Sequence, residues 1–531
     1  MDNRLGLALA LSLGILIGFQ FLFPPPPRPE NPAVTEVAGS ASGAVVPGTD
    51  SADLTGAPAA AAVPTDPGRI LEVRSDLFRA GFASRGGRLV SFELTQYRED
   101  TTPGSAPYNL VRSTGAAPLG LVWRNEAGAI VDDRSVVYDL SVTSPEASAT
   151  APAVLTMVGK TGSGATITKT LEVRSGTYLL DFKVATEGLA TTPLAVAWSR
   201  EIHVHKASAD IEGAVGYADG KLHSFDASTL EETTVVEGQM SWAGYAEHYF
   251  LTAFVPAKRE ALKLVASASD GSGHATLWTA APAATLHYGL YLGPKGMDEL
   301  TKAGNDLVQA IDLGWFWFIA RPLLWALLLI ERAVGNYGWA IILLTAAVRV
   351  LFYPVNKKQI EAMKGMQIIQ PEVKKIQERY ADDREKMNLE MMELYRRHKV
   401  NPLAGCLPML LQLPVFVGLY NVLLQAIELR HAPFLGWMND LSQPDRLGTL
   451  AIPFVTPPGI PVLTLLMGAS MILQQKMTPS TADPAQQRIM MIMPVVFTVM
   501  FVNFPAGLVL YWLFNNVLSI GQQWLSNRQA K

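Results

Sequence analysis

The chain has 531 residues, 49% of them hydrophobic and only 17% charged, with a net charge of −4; its mean hydropathy is +0.19 and its pI about 6.1. A charged fraction below the ~25% usual in soluble proteins argues against a wholly soluble chain and, with the positive hydropathy, excludes a wholly disordered one, and no basic excess creates a field that would recruit nucleic acid. The single cysteine, Cys406, excludes an internal disulfide and a cysteine-based zinc site.

The first apolar run, Leu5–Phe23, has 19 residues and only Ser12 and Gln20 as polar interruptions. At 1.5 Å per residue it spans about 28 Å, close to the ~30 Å hydrocarbon core. A cleaved signal peptide is the rival reading. Its apolar region is usually shorter, and here four prolines follow instead of a small-residue cleavage site. Residues 1–23 are therefore read as a retained anchor. Residues 24–68 follow as a linker in which Pro, Ala and Gly supply 25 of 45 positions. Such a segment buries too little surface to offset its ordering entropy.

From Arg69 short alternating runs are separated by turn residues. Ile70–Arg74, Ser135–Leu140, Ala165–Val173, Tyr178–Val184, Leu194–Trp198, Leu262–Ser267 and Leu286–Leu292 read as strands. The pattern predicts an antiparallel sandwich over 69–295. A helical connection, 296–336, precedes a membrane-like core, 337–525, and a short tail, 526–531. Candidate spans are Tyr337–Tyr353, Leu403–Gln425, Ile460–Gln475, Ile489–Val502 and Leu508–Trp524. Leu313–Ile330 competes as a further span. The 357–399 loop carries eleven Lys/Arg against eight Asp/Glu, while 428–448 carries two against three. Cytoplasmic loops hold the Lys/Arg excess, and a spanning 313–330 would put the basic loop on the wrong side. Residues 306–330 are therefore read as a helix in the outer interface. Asp306, Gln309 and Asp312 would face water, and Trp315, Trp317 and Trp325 would lie at headgroup depth. A re-entrant segment is the alternative.

Arg349 is the one formal charge in the five C-terminal spans. A central charge costs ~2.5–3.5 kcal/mol on insertion scales, which marks it as functional. It also lies five residues before Pro354, near enough to the helix end to snorkel. Both readings stand. Thr345, Gln412, Asn421, Gln425, Asn515, Asn516 and Ser519 are polar companions that either bond helices together or line a wet cavity. The absence of Asp and Glu from these spans argues against an ion-driven solute transporter.

The 357–399 loop reads as a helical hairpin with Ile360, Met363, Val373, Ile376 and Tyr380 on one helix and Met387, Met391 and Leu394 on the other. Asp382 with Glu385 forms a capping box for the second helix. Met363, Met366, Met387, Met391 and Met392 offer a soft surface for varied apolar partners, though a plain two-helix coiled coil has the same pattern. His203 and His205 share a strand face with Glu201, and Glu247 adjoins His248. Neither spacing specifies a metal site, and no metal or cofactor is expected. A membrane-tethered carbohydrate-binding sandwich using His203, His205 or Glu247 is a further alternative.

Several segments of the C-terminal half resemble the YidC/Oxa family of membrane protein insertases. They are Arg349–Pro354, Val400–Cys406, Gln474–Met477, Asp483–Gln487 and Phe504–Trp512. Tyr249-Phe250, Val255-Pro256, Gly293-Pro294 and Gly314–Trp317 resemble the large periplasmic domain and interface helix of the Gram-negative type more loosely. The resemblance implies a membrane α-helical bundle, with a five-helix insertase core plus an N-terminal anchor, and a periplasmic all-β supersandwich. It implies a polar groove holding Arg349, Thr345, Gln412, Tyr511 and Trp512, to which Asn421 and Asn515 add as polar residues of the same spans. Tyr511-Trp512 departs from the paired tyrosines of some relatives, so a role for a second phenol has no basis here. The implied function is insertion of nascent membrane proteins into the inner membrane without covalent chemistry. The Sec translocon, the translating ribosome and membrane lipid would be partners, although the tail lacks the long basic extension used for ribosome docking.

Overall fold

The computed structural model describes residues 66–112, 118–189, 192–202, 212–269, 271–380, 383–398, 407–477 and 484–528. The expected anchor, nearly all of the linker, His203, His205, Asp382 and Cys406 lie outside them.

From Ile70 to Pro294 the described chain is antiparallel β-structure. Ile70–Arg74, Phe78–Ala83, Arg88–Arg98 and Pro107–Asn109 pair in chain order as a four-stranded sheet beside a 14-stranded one. Alternation drives the packing. Thr166–Val173 buries every second residue, namely Ile167, Lys169, Leu171 and Val173. The long strand Thr234–Ala246 changes partner midway: Thr234–Met240 pairs with Glu260–Ala266, and Ala243–Ala246 pairs with Leu251–Phe254. That change carries the chain across the core, where Trp198, Trp242 and Trp278 are fully buried. The strand expected at Ser135–Leu140 is Tyr138–Val142. It starts later because Val136 and Tyr138 bond Gly86 and Ser84 instead of laddering onward.

One inward position is charged. Lys169 Nζ lies 2.6 Å from Asp133 Oδ2, with both side chains excluded from solvent. It also donates to the carbonyls of Gly86, Gly87 and Leu119. Asp133 additionally accepts from the Leu121 amide and the Tyr138 hydroxyl. Every polar group in this knot has a partner, as burial requires.

Helices follow: α1 (Met297–Ala303), α2 (Trp317–Val334), α3 (Tyr337–Leu351), α4 (Tyr353–Arg379), α5 (Arg384–Arg397), α6 (Leu407–Gln425), α7 (Val462–Met477), α8 (Pro484–Phe501) and α9 (Ala506–Arg528). The continuous helix expected over 306–330 is instead a 3-10 turn, Leu307–Ala310, a break, and then α2. Asp312 and Gly314 make the break: the Asp312 carboxylate accepts the Gly314 amide at 2.9 Å, and Gly314 has φ +68°, favourable only for glycine. Asp306 does not simply face water, since it pairs with Arg259 at 2.7 Å and its carbonyl accepts from Trp242. α2 buries Ala320, Leu324, Leu327 and Leu328 and leaves Trp317, Phe318 and Trp325 exposed.

Each of the five expected spans coincides with a helix, α3 or α6–α9. Among the described residues, however, no helix is long and apolar enough to cross a membrane. α3 has 15 residues and α7 has 16, about 22 and 24 Å at helical rise. α9 is longer but carries Asn515, Asn516, Gln522 and Gln523.

Sandwich and helices meet at a polar seam. Arg430 donates to the carbonyls of Arg98 (2.6 Å) and Glu99 (3.1 Å) and lies over the Tyr108 and Phe250 rings. His248 Nε2 is 2.9 Å from the Leu424 carbonyl oxygen, at the end of α6. Glu428, in the loop beyond α6, accepts the Met297 amide at 3.4 Å. Burial pushes its carboxyl up to about 6 from 4.5. A carboxyl raised in the fold gives stability that is present below the unfolded pKa and lost as pH rises through the folded one. Melting in detergent should therefore fall between about pH 4.5 and 6.5, by at most roughly 2 kcal/mol. Glu428→Gln should remove that slope while keeping an acceptor for Met297. An unchanged slope would assign the dependence to another group.

Candidate substrate groove

The helices are set by polar contacts at the ends that lie toward the 426–461 segment. Asn336 caps α3 by accepting the Trp339 amide at 3.2 Å and donates to the Pro433 carbonyl. Buried Asp445 caps α7, accepting the Leu463 amide at 2.7 Å and the Thr464 hydroxyl at 3.1 Å. Arg446 donates to the carbonyls of Thr456, Pro457 and Val502 and to Asn503 Oδ1. One guanidinium thus fastens the 445–459 loop to the turn between α8 and α9. Gly338 lies so close to Phe434 that an added Cβ would stand 2.1 Å from its ring.

Deeper along α9, Asn516 donates to Ser470 of α7 at 3.0 Å and Gln523 donates to the Met477 carbonyl at 2.7 Å. On the adjoining face Arg349 reaches from α3. Its Nε donates to Asn515 Oδ1 at 2.9 Å, and Nη2 donates to the Asn515 carbonyl at 3.0 Å and to the Ser519 hydroxyl. The guanidinium is thus turned onto α9 rather than extended past the end of α3. It leaves a half-buried positive charge with no ion-pair partner among the described residues.

The other expected groove residues are distributed. Thr345 is buried and returns its hydroxyl to the Ile341 carbonyl of its own helix. Asn421 sits toward the far end of α6 and donates to the Leu313 carbonyl at 2.8 Å. It joins the break ahead of α2 to the bundle rather than meeting Arg349. Gln412 belongs to α6, but its side chain lies outside the described residues. Tyr511 and Trp512 enter an aromatic group: Phe416 stacks on Tyr511, and Trp512 meets Phe416 and Phe501 edge-on at 4.7 Å. Phe416, Phe497 and Phe501 carry no distinguishing sequence signal, because any apolar helix would supply them.

In the hairpin, Ile369, Val373 and Leu394 form a buried seam with Ile376, Met391 and Tyr395 against it. Met391 therefore serves the hairpin's own core, whereas Met392 is exposed; the side chains of Met363 and Met366 lie outside the described residues. The cap of α5 is Asp383, which accepts the Lys386 amide at 3.0 Å. Asp383 replaces the expected Asp382 because the helix begins one residue later. In the sandwich, Glu247 binds Arg200 and accepts the Tyr108 hydroxyl, each at 2.6 Å, which leaves it no lectin-like exposure. Among the described residues, no three His, Cys, Asp or Glu side chains are grouped to hold a metal.

Comparison with known proteins covers both halves. The model of the YidC periplasmic domain matches residues 70–326, and that of the 60Kd inner membrane protein matches 329–531. Membrane protein insertase YidC of Pelobacter propionicus is 40% identical over 473 residues, 86% of each chain. The protein of that name from Nitratidesulfovibrio vulgaris is 38% identical over 534 residues, 91% of this chain and 94% of its own. An active YidC insertase crystal structure with the first transmembrane domain resolved aligns at 19% identity with a TM-score of 0.39, over 88% of this chain and 94% of that one.

Proposed function

Because the chain belongs to the YidC family of membrane protein insertases, we propose that α3 and α6–α9 form the membrane-embedded core and that Arg349 marks its client path. The protein is an inner-membrane insertase, and the solute-transporter and carbohydrate readings have no support in its relatives. Residues 69–295 would be periplasmic, and both termini and the α4–α5 hairpin cytoplasmic, with residues 1–23 as anchor. The short spans fit a bilayer thinned around the bundle, which costs fractions of a kcal/mol per Å.

The observation that carries this reading is the Arg349–Asn515–Ser519 contact. It holds a cation and polar side chains within the bundle, beside the Asn516–Ser470 contact. The hydrophilic flank of a nascent membrane protein would find hydrogen-bond partners there, avoiding several kcal/mol per unsatisfied group. Its apolar segment would leave along the exposed faces of α7 and α8, where Leu465, Leu466, Ile472, Val495, Val496 and Val499 are uncovered. Burial in lipid at ~25 cal/mol per Å² supplies the driving force, and no covalent step is needed. The Sec translocon and the translating ribosome are the expected partners, with clients met first by the hairpin methionines Met363, Met366, Met387 and Met392, Met391 being taken up by the hairpin's own seam.

Photocrosslinkers at Gln412 and Trp512 should capture stalled nascent membrane proteins; crosslinks from lipid-facing Leu466 alone would refute a groove path. In a Cys406→Ser background, Lys375→Cys should resist an impermeant thiol reagent added outside intact cells. Labelling from outside would invert the topology. Deleting 360–397 should cut insertion severely while leaving the sandwich folded; an unchanged insertion rate would reduce the hairpin to a connector.

A further inference from the structure

Between α1 and the outward face of α2 lies a cleft of about 880 Å³, its wall including Met297, Lys302, Trp317, Phe318, Arg321 and Trp325. Trp317 and Phe318 are each 57% exposed and Trp325 63%. Three large aromatics on one helix face require a cover that is apolar in part, and indoles favour the membrane–water boundary. The volume falls within the ~300–1,000 Å³ of small-ligand sites.

The polar part of the wall selects the cover. The Arg321 guanidinium lies 5.9 Å from the centroid of the Trp317 ring and has no carboxylate partner among the described residues. Lys302 is 74% exposed and stands 3.9 Å from Glu299, a weak surface pair. Asp298 also borders the cleft, but Arg332 holds it at 2.6 Å. Two cations with little compensation thus flank an aromatic floor. An apolar peptide would leave both without a counter-charge, and a zwitterionic lipid would bring its own cation against them.

We infer that this cleft binds an anionic phospholipid of the outer leaflet, its phosphate between Lys302 and Arg321 and its acyl chains over Trp317, Phe318 and Trp325. The inference rests on the membrane placement of the helical core proposed above. An amphiphile of this kind satisfies both halves of the wall at once. It would also fix the point where the sandwich joins the bundle, since α1 is bonded to the seam through Met297 and Glu428.

The test uses the full chain in phosphatidylcholine vesicles containing an equal mole fraction of either brominated phosphatidylglycerol or brominated phosphatidylcholine. Bromine quenches nearby tryptophan fluorescence. The anionic lipid should quench at a several-fold lower mole fraction, at about fivefold preference per cation near the surface. The preference should vanish in Lys302→Ala/Arg321→Ala and persist in Lys302→Arg/Arg321→Lys. The preferential signal should be lost in Trp317→Phe/Trp325→Phe, which assigns it to the cleft. Equal quenching by both lipids would overturn headgroup selection and leave the membrane placement intact. Quenching by neither would overturn the placement, and the lipid site with it.

Discussion

Lys169→Ala is expected to destabilise the sandwich by roughly 3–5 kcal/mol, the usual penalty for stranding one partner of a buried ion pair. The substitution removes the counter-charge of Asp133 and leaves the carbonyls of Gly86, Gly87 and Leu119 without their donor. Burial pushes the Asp133 carboxyl up, and Lys169 is the main opposing influence. Without that ammonium the carboxyl should take a proton well above its usual range. The variant's deficit should therefore shrink as pH falls, because protonation removes the stranded charge. Pulse proteolysis of the full chain across pH reads both effects. A deficit under about 1 kcal/mol, or one independent of pH, would show that the pair is not what ties these strands together.

Arg349→Ala should impair clients with acidic translocated flanks more than clients with neutral ones. Coulomb attraction near an effective dielectric of 20 is ~4 kcal/mol at 4 Å; after screening and desolvation, a difference on the order of tenfold in insertion rate is expected. Arg349→Lys keeps the charge but not the planar fork, which here serves Asn515 at two atoms and Ser519 as well. It should retain most of the charge discrimination and lose part of the rate. Reconstituted insertion of paired clients differing only in flank charge is the measurement. Equal loss for both clients would give Arg349 a general hydration role, and no loss for either would remove it from the path.

Much of this architecture is legible in the chain, because period-two and period-3.6 patterns report burial directly. All seven expected strand runs overlap observed strands. The long strand Thr234–Ala246 is harder to read, since Gly238 and Gly244 interrupt its alternation and it serves two partners in turn. Lys169 was readable in principle: it shares phase with Ile167, Leu171 and Val173, so alternation alone points it inward. Its carbonyl acceptors come from segments 50 to 83 positions away in sequence, a closure that no local pattern contains. The break at Asp312–Gly314 is hard to read in the sequence because apolar content on both sides conceals an ordinary turn signal. Arg349 stands out as a lone charge, but its choice between solvent and α9 depends on Asn515 and Ser519, which arrive from 166 and 170 residues away. The aromatic group around Trp512 depends likewise on which helices become neighbours.

The junction at Phe352 has a mechanical consequence. α3 and α4 are separated by that residue alone, and two backbone bonds span it: its amide bonds the Val348 carbonyl at 3.0 Å, and its carbonyl accepts the Asn356 amide at 2.9 Å. Phe352 itself leaves helical geometry at ψ 3°, and Pro354 and Pro371 each withhold an amide from the ladder, so the 27-residue α4 is a lever arm of about 40 Å with compliant joints. Arg349 sits one turn from the fulcrum. A sideways load that moves the free end by roughly 10 Å would shift the guanidinium's attachment by at most about 1 Å, which lengthens its 2.9 Å bond to Asn515. Cargo seated on the hairpin would thus pull on the buried cation before touching it.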